Sequence, residues 1–298
     1  MTCAVFAFPE GAEPAARLAG ELAIDCRPVS LHRFPDGESL VRVADATDTA
    51  LLYRSLDRPN DKIFELLLAA TALRQGGTRR LILVVPYLAY MRQDRAFRPG
   101  EAVSQRVLGP ILAAHCDALI TLDPHLHRIG SLAEVMPGIE SVSLSAAPAL
   151  AAALQATGAE LLVGPDEESR QWVETLAHSV GLPFLLGAKQ RRADRAVELS
   201  IPGAERAAGR HVVLIDDLIS SGITLTTAAR LLLEAGARSV SALATHCLAS
   251  EADLQALRES GVTSIRSTQT VAGPTACIDI AGVLAREIRG RGWCPEQR

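Results

Sequence analysis

The run "VVLIDDLISSGITL", Val212 to Leu225, sets four apolar residues before Asp216 and Asp217, continues through Ser220, Ser221 and Gly222, and enters a helical pattern at Ile223 and Thr224. Carboxylates accept hydrogen bonds from hydroxyls. A small-residue turn at a helix start presents backbone N–H groups and the positive end of the helix dipole to an anion. A sugar phosphate offers both groups at a matching separation. A helix cap by Asp217 or Ser221 explains one residue of the run and leaves the rest without a role.

Four other stretches carry residues suited to polyphosphate or metal chemistry. "MRQDR" places Arg92, Gln93 and Arg95 just after an apolar run, where guanidinium forks suit a triphosphate and an amide suits a base edge. Read from the residues alone, a solvated charged loop is the better account of it. "FPDGE" is a tight turn at Asp36-Gly37, flanked by Phe34 and Glu38, and by itself predicts an ordinary hairpin. His125 follows "ALITLD" and Asp166 ends "ELLVG"; a lone histidine is usually a packing residue, and a lone strand-end aspartate is often a cap. Lys189 and Arg191 stand in a basic stretch with Arg192 and Arg195. Of 30 basic residues only Lys62 and Lys189 are lysine, so solvation alone does not account for Lys189.

The elements that must position these residues follow a regular alternation. Short apolar runs ending in Asp or Pro precede or follow helical patterns over 102–115, 169–180 and 224–236. That is the pattern of βαβ units and parallel sheets, in which ligands bind beyond the carboxyl ends of strands. The series occurs twice, which predicts an α/β chain of two halves, 1–145 and 146–298.

Composition limits the alternatives. At 298 residues and 48% hydrophobic, each half has enough chain for its own core. A formal net charge of -4 gives no basic field for nucleic acid, while a small anionic ligand needs only local cations. The run from Ser143 to Leu154 is too short to span a bilayer, and no signal-peptide pattern opens the sequence. Six cysteines without a CxxC pair or regular spacing predict neither a zinc knuckle nor a disulfide framework, so the expected setting is the reducing cytoplasm, with no membrane partner.

The 216–224 run resembles the 5-phosphoribosyl diphosphate (PRPP) binding signature shared by type I phosphoribosyltransferases and ribose-phosphate diphosphokinases, the PRPP synthetases. "RFPDGES", "PYLAYMRQDR", "DPHLH", "GPD" and "KQRRADR" match, in order and rough spacing, segments of the PRPP synthetases, and Ser220 is similar to the short archaeal-type members. The resemblance spans nearly the whole chain. It implies two tandem phosphoribosyltransferase-like domains, with ATP loops in the first and the ribose 5-phosphate loop in the second. It implies ATP binding by Phe34, Asp36, Glu38, Arg92, Gln93, Asp94 and Arg95, and ribose 5-phosphate binding by Asp216, Asp217 and Ser220, Ser221, Gly222, Ile223 and Thr224. It implies catalysis by Lys189 and Arg191 on a mobile loop, and Mg²⁺ contacts from His125 and Asp166. A homo-oligomer is also implied, with the 34–38 loop reaching a neighbour's ATP. The chain departs from the family at Glu167-Glu168-Ser169, where a Gly-Gly pair usually follows the aspartate, and at Ile223, where glycine is common. Two extra carboxylates beside a diphosphate would repel it unless Arg170 or a metal compensates. A PRPP-consuming transferase and a non-catalytic or regulatory paralogue are the other readings.

Overall fold

The structure, a computed structural model, describes residues 2–126, 128–192 and 196–294; the side chains of residues 189–198 lie outside the described set. The chain forms two compact units, Met1–Ser145 with Asp279–Arg298, and Ala146–Ile278.

The sheet of the first unit is built from strands β1 (Cys3–Ala7), β2 (Asp25–Arg33), β3 (Ser39–Val43), β4 (Thr49–Tyr53), β5 (Arg80–Val84), β6 (Ala118–Leu122) and β7 (Glu140–Leu144), in the order β3-β2-β1-β4-β5-β6-β7. All pairs are parallel except the β2–β3 hairpin at one edge. β1, β4 and β6 are buried along their whole length, which is why they read as continuous apolar runs rather than alternating ones. Helices α1 (Ala12–Leu22), α2 (Pro59–Gln75) and α3 (Ser104–Ala113) connect the strands.

The second unit contains helices α4 (Ala147–Gln155), α5 (Arg170–Val180), α6 (Ile223–Glu234) and α7 (Glu251–Glu259). Its strands are β8 (Leu161–Gly164), β9 (Phe184–Leu186), β10 (Ala188–Arg192), β11 (Ala196–Ser200), β12 (His211–Ile219), β13 (Ser239–Cys247), β14 (Val262–Thr268) and β15 (Ala276–Ile278). Six of them make a parallel sheet in the order β15-β14-β13-β12-β8-β9, and β10 and β11 form a separate antiparallel ribbon.

The last helix, α8 (Ala281–Gly290), returns to the first unit and packs on α1. The sequence division at 145/146 assigned this segment to the second half. Its buried stripe of Leu284, Ala285 and Ile288 lies in the first unit instead, and the Trp293 indole N–H donates to Glu140 Oε2 at 2.9 Å. Spacing also predicted no disulfide, yet Cys3 in β1 is bonded to Cys294, with Cα atoms 6.0 Å apart across 291 residues of sequence. Cys26, Cys116, Cys247 and Cys277 are free thiols. Among the described residues no helix is long and apolar enough to cross a membrane.

Candidate functional site

In the second unit, β12 runs on beyond its two aspartates to Ile219, so Asp216 and Asp217 lie within the strand rather than at its end. Asp216 pairs with Ala244 and Leu218 with His246, and these cross-strand bonds fix the carboxylates. The Asp217 N–H donates to Asp216 Oδ1 at 3.0 Å. Burial, then the charge of Asp217, then that of Asp166 hold the Asp216 carboxyl well above the ordinary aspartate range. The cluster carries more negative charge than it neutralises and attracts hydroxyl donors or a cation.

Gly222 supplies the turn into α6, with φ +69°, a conformation that strains any residue with a Cβ. The nearest atom to a Cβ there is Leu257 Cδ2 at 3.9 Å, so backbone geometry, not crowding, calls for glycine. The Thr226 N–H closes the first helical bond onto the Gly222 carbonyl at 2.8 Å. The N–H groups of Ile223, Thr224 and Leu225 therefore have no acceptor within the helix. Ile223 is 70% exposed, which leaves its N–H as its contribution to an anion site.

Asp166 follows β8 and caps a 3-10 turn over Glu167–Ser169, accepting from the N–H groups of Glu168 at 3.1 Å and Ser169 at 3.3 Å. Its side chain thus performs the capping task expected of a strand-end aspartate. The Ser169 hydroxyl donates back to the Asp166 carbonyl at 2.6 Å. A Cβ at Gly164 would stand 2.3 Å from Ser169 Oγ, so the serine uses space that this glycine leaves open. Arg170 forks onto both oxygens of Glu167, at 2.5 and 2.9 Å, and also reaches Glu174 at 2.9 Å. One of the two extra carboxylates is thereby neutralised within its own turn.

Lys189 and Arg191, expected on a loop, lie in β10, where Lys189 pairs with Leu199 and Arg191 with Val197 of β11. Their side chains lie outside the described residues, as does the whole of Arg195.

In the first unit, "FPDGE" is the tip of the β2–β3 hairpin. The Phe34 N–H donates to the Glu38 carbonyl at 2.8 Å, the Gly37 N–H to the Phe34 carbonyl at 2.9 Å, and the Glu38 N–H to Asp36 Oδ1 at 3.1 Å. Phe34 is 40% exposed, and its ring meets His32 edge-on at 4.7 Å. Arg92 and Arg95 follow β5 and are exposed, with the Arg95 guanidinium 4.9 Å from the Phe97 ring. Gln93 accepts from the Ser104 hydroxyl at 3.3 Å. Asp94 is nearly buried and bonded to Arg128 at 3.1 Å, so its side chain clips the segment after β5 to the segment after β6. His125 is half-buried beyond β6.

Two residues with no sequence signal mark the same strand ends. Tyr90 (φ +65°) and Asp123 (φ +35°) adopt left-handed backbone without being glycine. Such conformations cost about 1–3 kcal/mol and gather at functional sites. The Asp123 N–H donates to the Leu144 carbonyl at 2.8 Å, and the Tyr90 hydroxyl bonds Asn60.

Among the described residues no three His, Cys, Asp or Glu side chains gather to hold a metal by themselves. The carboxylates of Asp166, Asp216 and Asp217 are hard oxygen donors whose mutual repulsion a cation would relieve. A Mg²⁺ ion, which is usually held by one or two carboxylates with waters and substrate phosphates, fits that donor set.

A family model for the N-terminal domain of ribose phosphate pyrophosphokinase matches residues 3–115, and one for the phosphoribosyl transferase domain matches residues 143–278. The chain is 37% identical over 287 residues to the ribose-phosphate pyrophosphokinase of Methanopyrus kandleri, covering 95% of this chain and 98% of that one. It is 34% identical to that of Thermococcus kodakarensis over 260 residues, 87% and 91% of the two chains. The crystal structure of phosphoribosylpyrophosphate synthetase from Mycobacterium smegmatis superposes with a TM-score of 0.83 at 26% identity, covering 98% and 99%.

Proposed function

The chain belongs to the ribose-phosphate pyrophosphokinase family, and on that premise we propose that it transfers the β,γ-diphosphoryl group of ATP to the C1 hydroxyl of ribose 5-phosphate, giving PRPP and AMP. The observation that carries the sugar half is the β12–α6 turn, which joins two strand-held carboxylates to a positive-φ glycine and the open first turn of a helix.

Asp216 and Asp217 accept from the ribose hydroxyls and orient C1. Residues 220–224 receive the 5-phosphate through hydroxyls and backbone N–H groups, the Ile223 N–H among them. The C1 oxygen attacks the β-phosphorus in line and loses its proton to solvent, a bond to that oxygen forms, and the bond from the β-phosphorus to the oxygen bridging it to the α-phosphorus breaks, so AMP departs with that oxygen. Little covalent work falls to the protein, and positioning with charge neutralisation supplies the acceleration. Lys189 and Arg191 neutralise charge on the attacking and leaving oxygens, and loss of either costs about 2.7–4 kcal/mol of barrier. Phe34, Asp36 and Glu38 with Arg92, Gln93 and Arg95 bind ATP, and Asp94 holds that second segment through Arg128. Asp166, beside the Asp216 carboxyl, would hold Mg²⁺, which would supply charge neutralisation on the phosphates, and His125 would be a separate Mg²⁺ contact of the first unit.

The reading extends to a homo-oligomer in which the exposed 34–38 tip serves a neighbour's ATP. Mixing Phe34→Ala with Lys189→Ala subunits then gives, at limiting ATP, more activity than the sum of the two variants, and a mixture no more active than that sum removes the shared site. The Glu167–Arg170 fork weakens the paralogue alternative, because repulsion by Glu167 was part of its support.

³¹P NMR of the protein with ATP, Mg²⁺ and ribose 5-phosphate tests the reaction. AMP and PRPP are expected, and both fall by about a hundredfold or more in Lys189→Ala. ATP that stays intact while both ligands bind overturns the assignment.

A further inference from the structure

Both feet of the Phe34–Glu38 turn end on one buried carboxylate. Arg33, the last residue of β2, donates through Nε to Glu65 Oε1 at 2.8 Å, and Ser39, the first residue of β3, donates its hydroxyl to the same oxygen at 2.9 Å. Arg33 and Ser39 are a registered pair, so Glu65 of α2 grips the ribbon across both strands at the base of its turn. The other oxygen, Glu65 Oε2, is held by Arg54 Nη2 at 2.5 Å.

Arg54, one residue past β4, is itself fully fixed. Its Nε donates to Glu10 Oε1 at 2.9 Å, its Nη1 donates to the Lys62 carbonyl at 3.1 Å, and its guanidinium lies 3.6 Å from the centre of the Phe8 ring. Arg54 and Glu65 are each 1% exposed. A buried ion pair is a poor source of stability, because desolvating two charges consumes most of what their attraction returns. Its directional hydrogen bonds, by contrast, fix orientation at the base of the turn, beyond the apolar anchorage that Leu31, Val41 and Val43 give the two strands. β3 is an edge strand paired only with β2, and residues 32–38 are all exposed.

We propose that Glu65, fixed by Arg54, is a positioning residue that sets the direction of the nucleotide-reading hairpin through Arg33 and Ser39. The inference rests on the reading that Phe34, Asp36 and Glu38 bind ATP. Glu65 is too deeply buried to touch substrate, so it acts through the two feet alone. Burial pushes the Glu65 carboxyl up, but hydrogen bonds from Arg33, Arg54 and Ser39 outweigh it and hold the group below its usual range, ionised while it grips the ribbon.

Removing Glu65 risks the fold, so the test uses the feet. Arg33 is 52% exposed, and the double variant Arg33→Gln/Ser39→Ala leaves the Arg54–Glu65 pair in place. Hydrogen exchange in the whole protein is expected to quicken by about tenfold at the Phe34 and Gly37 amides and to stay unchanged in β4 and α2. KM for ATP is expected to rise about fivefold while KM for ribose 5-phosphate and kcat hold within about twofold, with Arg33→Lys/Ser39→Ala partly restoring it. Unchanged exchange overturns the proposal. So does faster exchange with an unmoved KM for ATP when Phe34→Ala raises that KM. If Phe34→Ala also leaves KM for ATP unmoved, the nucleotide role of the hairpin falls, and exchange alone decides whether Glu65 orients it.

Discussion

Burial first, then two neighbouring carboxylates, disfavour the charged form of Asp216 in the ligand-free protein. Its folded pKa is raised, so its contribution to stability is full below the ordinary value of 3.8 and is lost as pH rises through the raised folded value. Asp216→Asn should therefore raise the Tm of the ligand-free protein near neutral pH by a few degrees, about 2–4 °C for each kcal/mol. The same change should weaken ribose 5-phosphate binding by about tenfold or more. Calorimetry across pH, with and without the sugar, checks both signs, and a variant less stable than wild type at neutral pH refutes the repulsion. Glu167 and Arg170 make the complementary case. Arg170→Gln should raise KM for the anionic sugar by roughly two- to fivefold, and adding Glu167→Gln should bring it back, as a steady-state double-mutant cycle would register. At this scale the 216–224 run was legible because its residue types sit together. The strained backbone at Tyr90 and Asp123 was not, since neither side chain announces it. Nor was the grip of Glu65, whose partners Arg33, Ser39 and Arg54 lie 32, 26 and 11 residues away.

Between strand and helix, two glycines do different work, and one substitution separates them. Gly222→Ala has open space and an unfavourable φ, so denaturant unfolding should record a loss of about 1–2 kcal/mol, with the anion-binding turn distorted. Gly164→Ala has no such φ but drives a methyl into Ser169 Oγ, Leu186 and Val173, so it should displace the turn that Asp166 caps and lose about 1–3 kcal/mol or more. Equal losses would mean that crowding at β8 is relieved without moving that turn. Elements such as β5, β6, β8 and α6 were readable because burial on both faces leaves an unbroken apolar run beside a helical stripe. β10 escaped because Lys189 to Arg192 show no apolar pattern, whereas β11 lies in "AVELSIP", a stretch that reads as a strand.

At the level of the whole chain, the Cys3–Cys294 bond closes a loop of nearly the full sequence. In the chain-entropy account such a closure contributes about 6 kcal/mol at most. Cys294→Ser, or reduction, is therefore expected to lower Tm by up to about 10 °C, and a scan indifferent to reductant would show that the bond adds little to the fold. Two halves could be inferred from the repeated alternation, but the return of α8 could not, because its amphipathic stripe suits either core. That return makes residues 146–278 an insertion within the first unit. On the ribosome, at about 5–20 residues per second, the inserted unit emerges complete while its host still waits, for about 7–30 s, for the helix that covers α1. The unit begun before its insert is then finished after it, and in that interval α1 is the surface a chaperone would find uncovered.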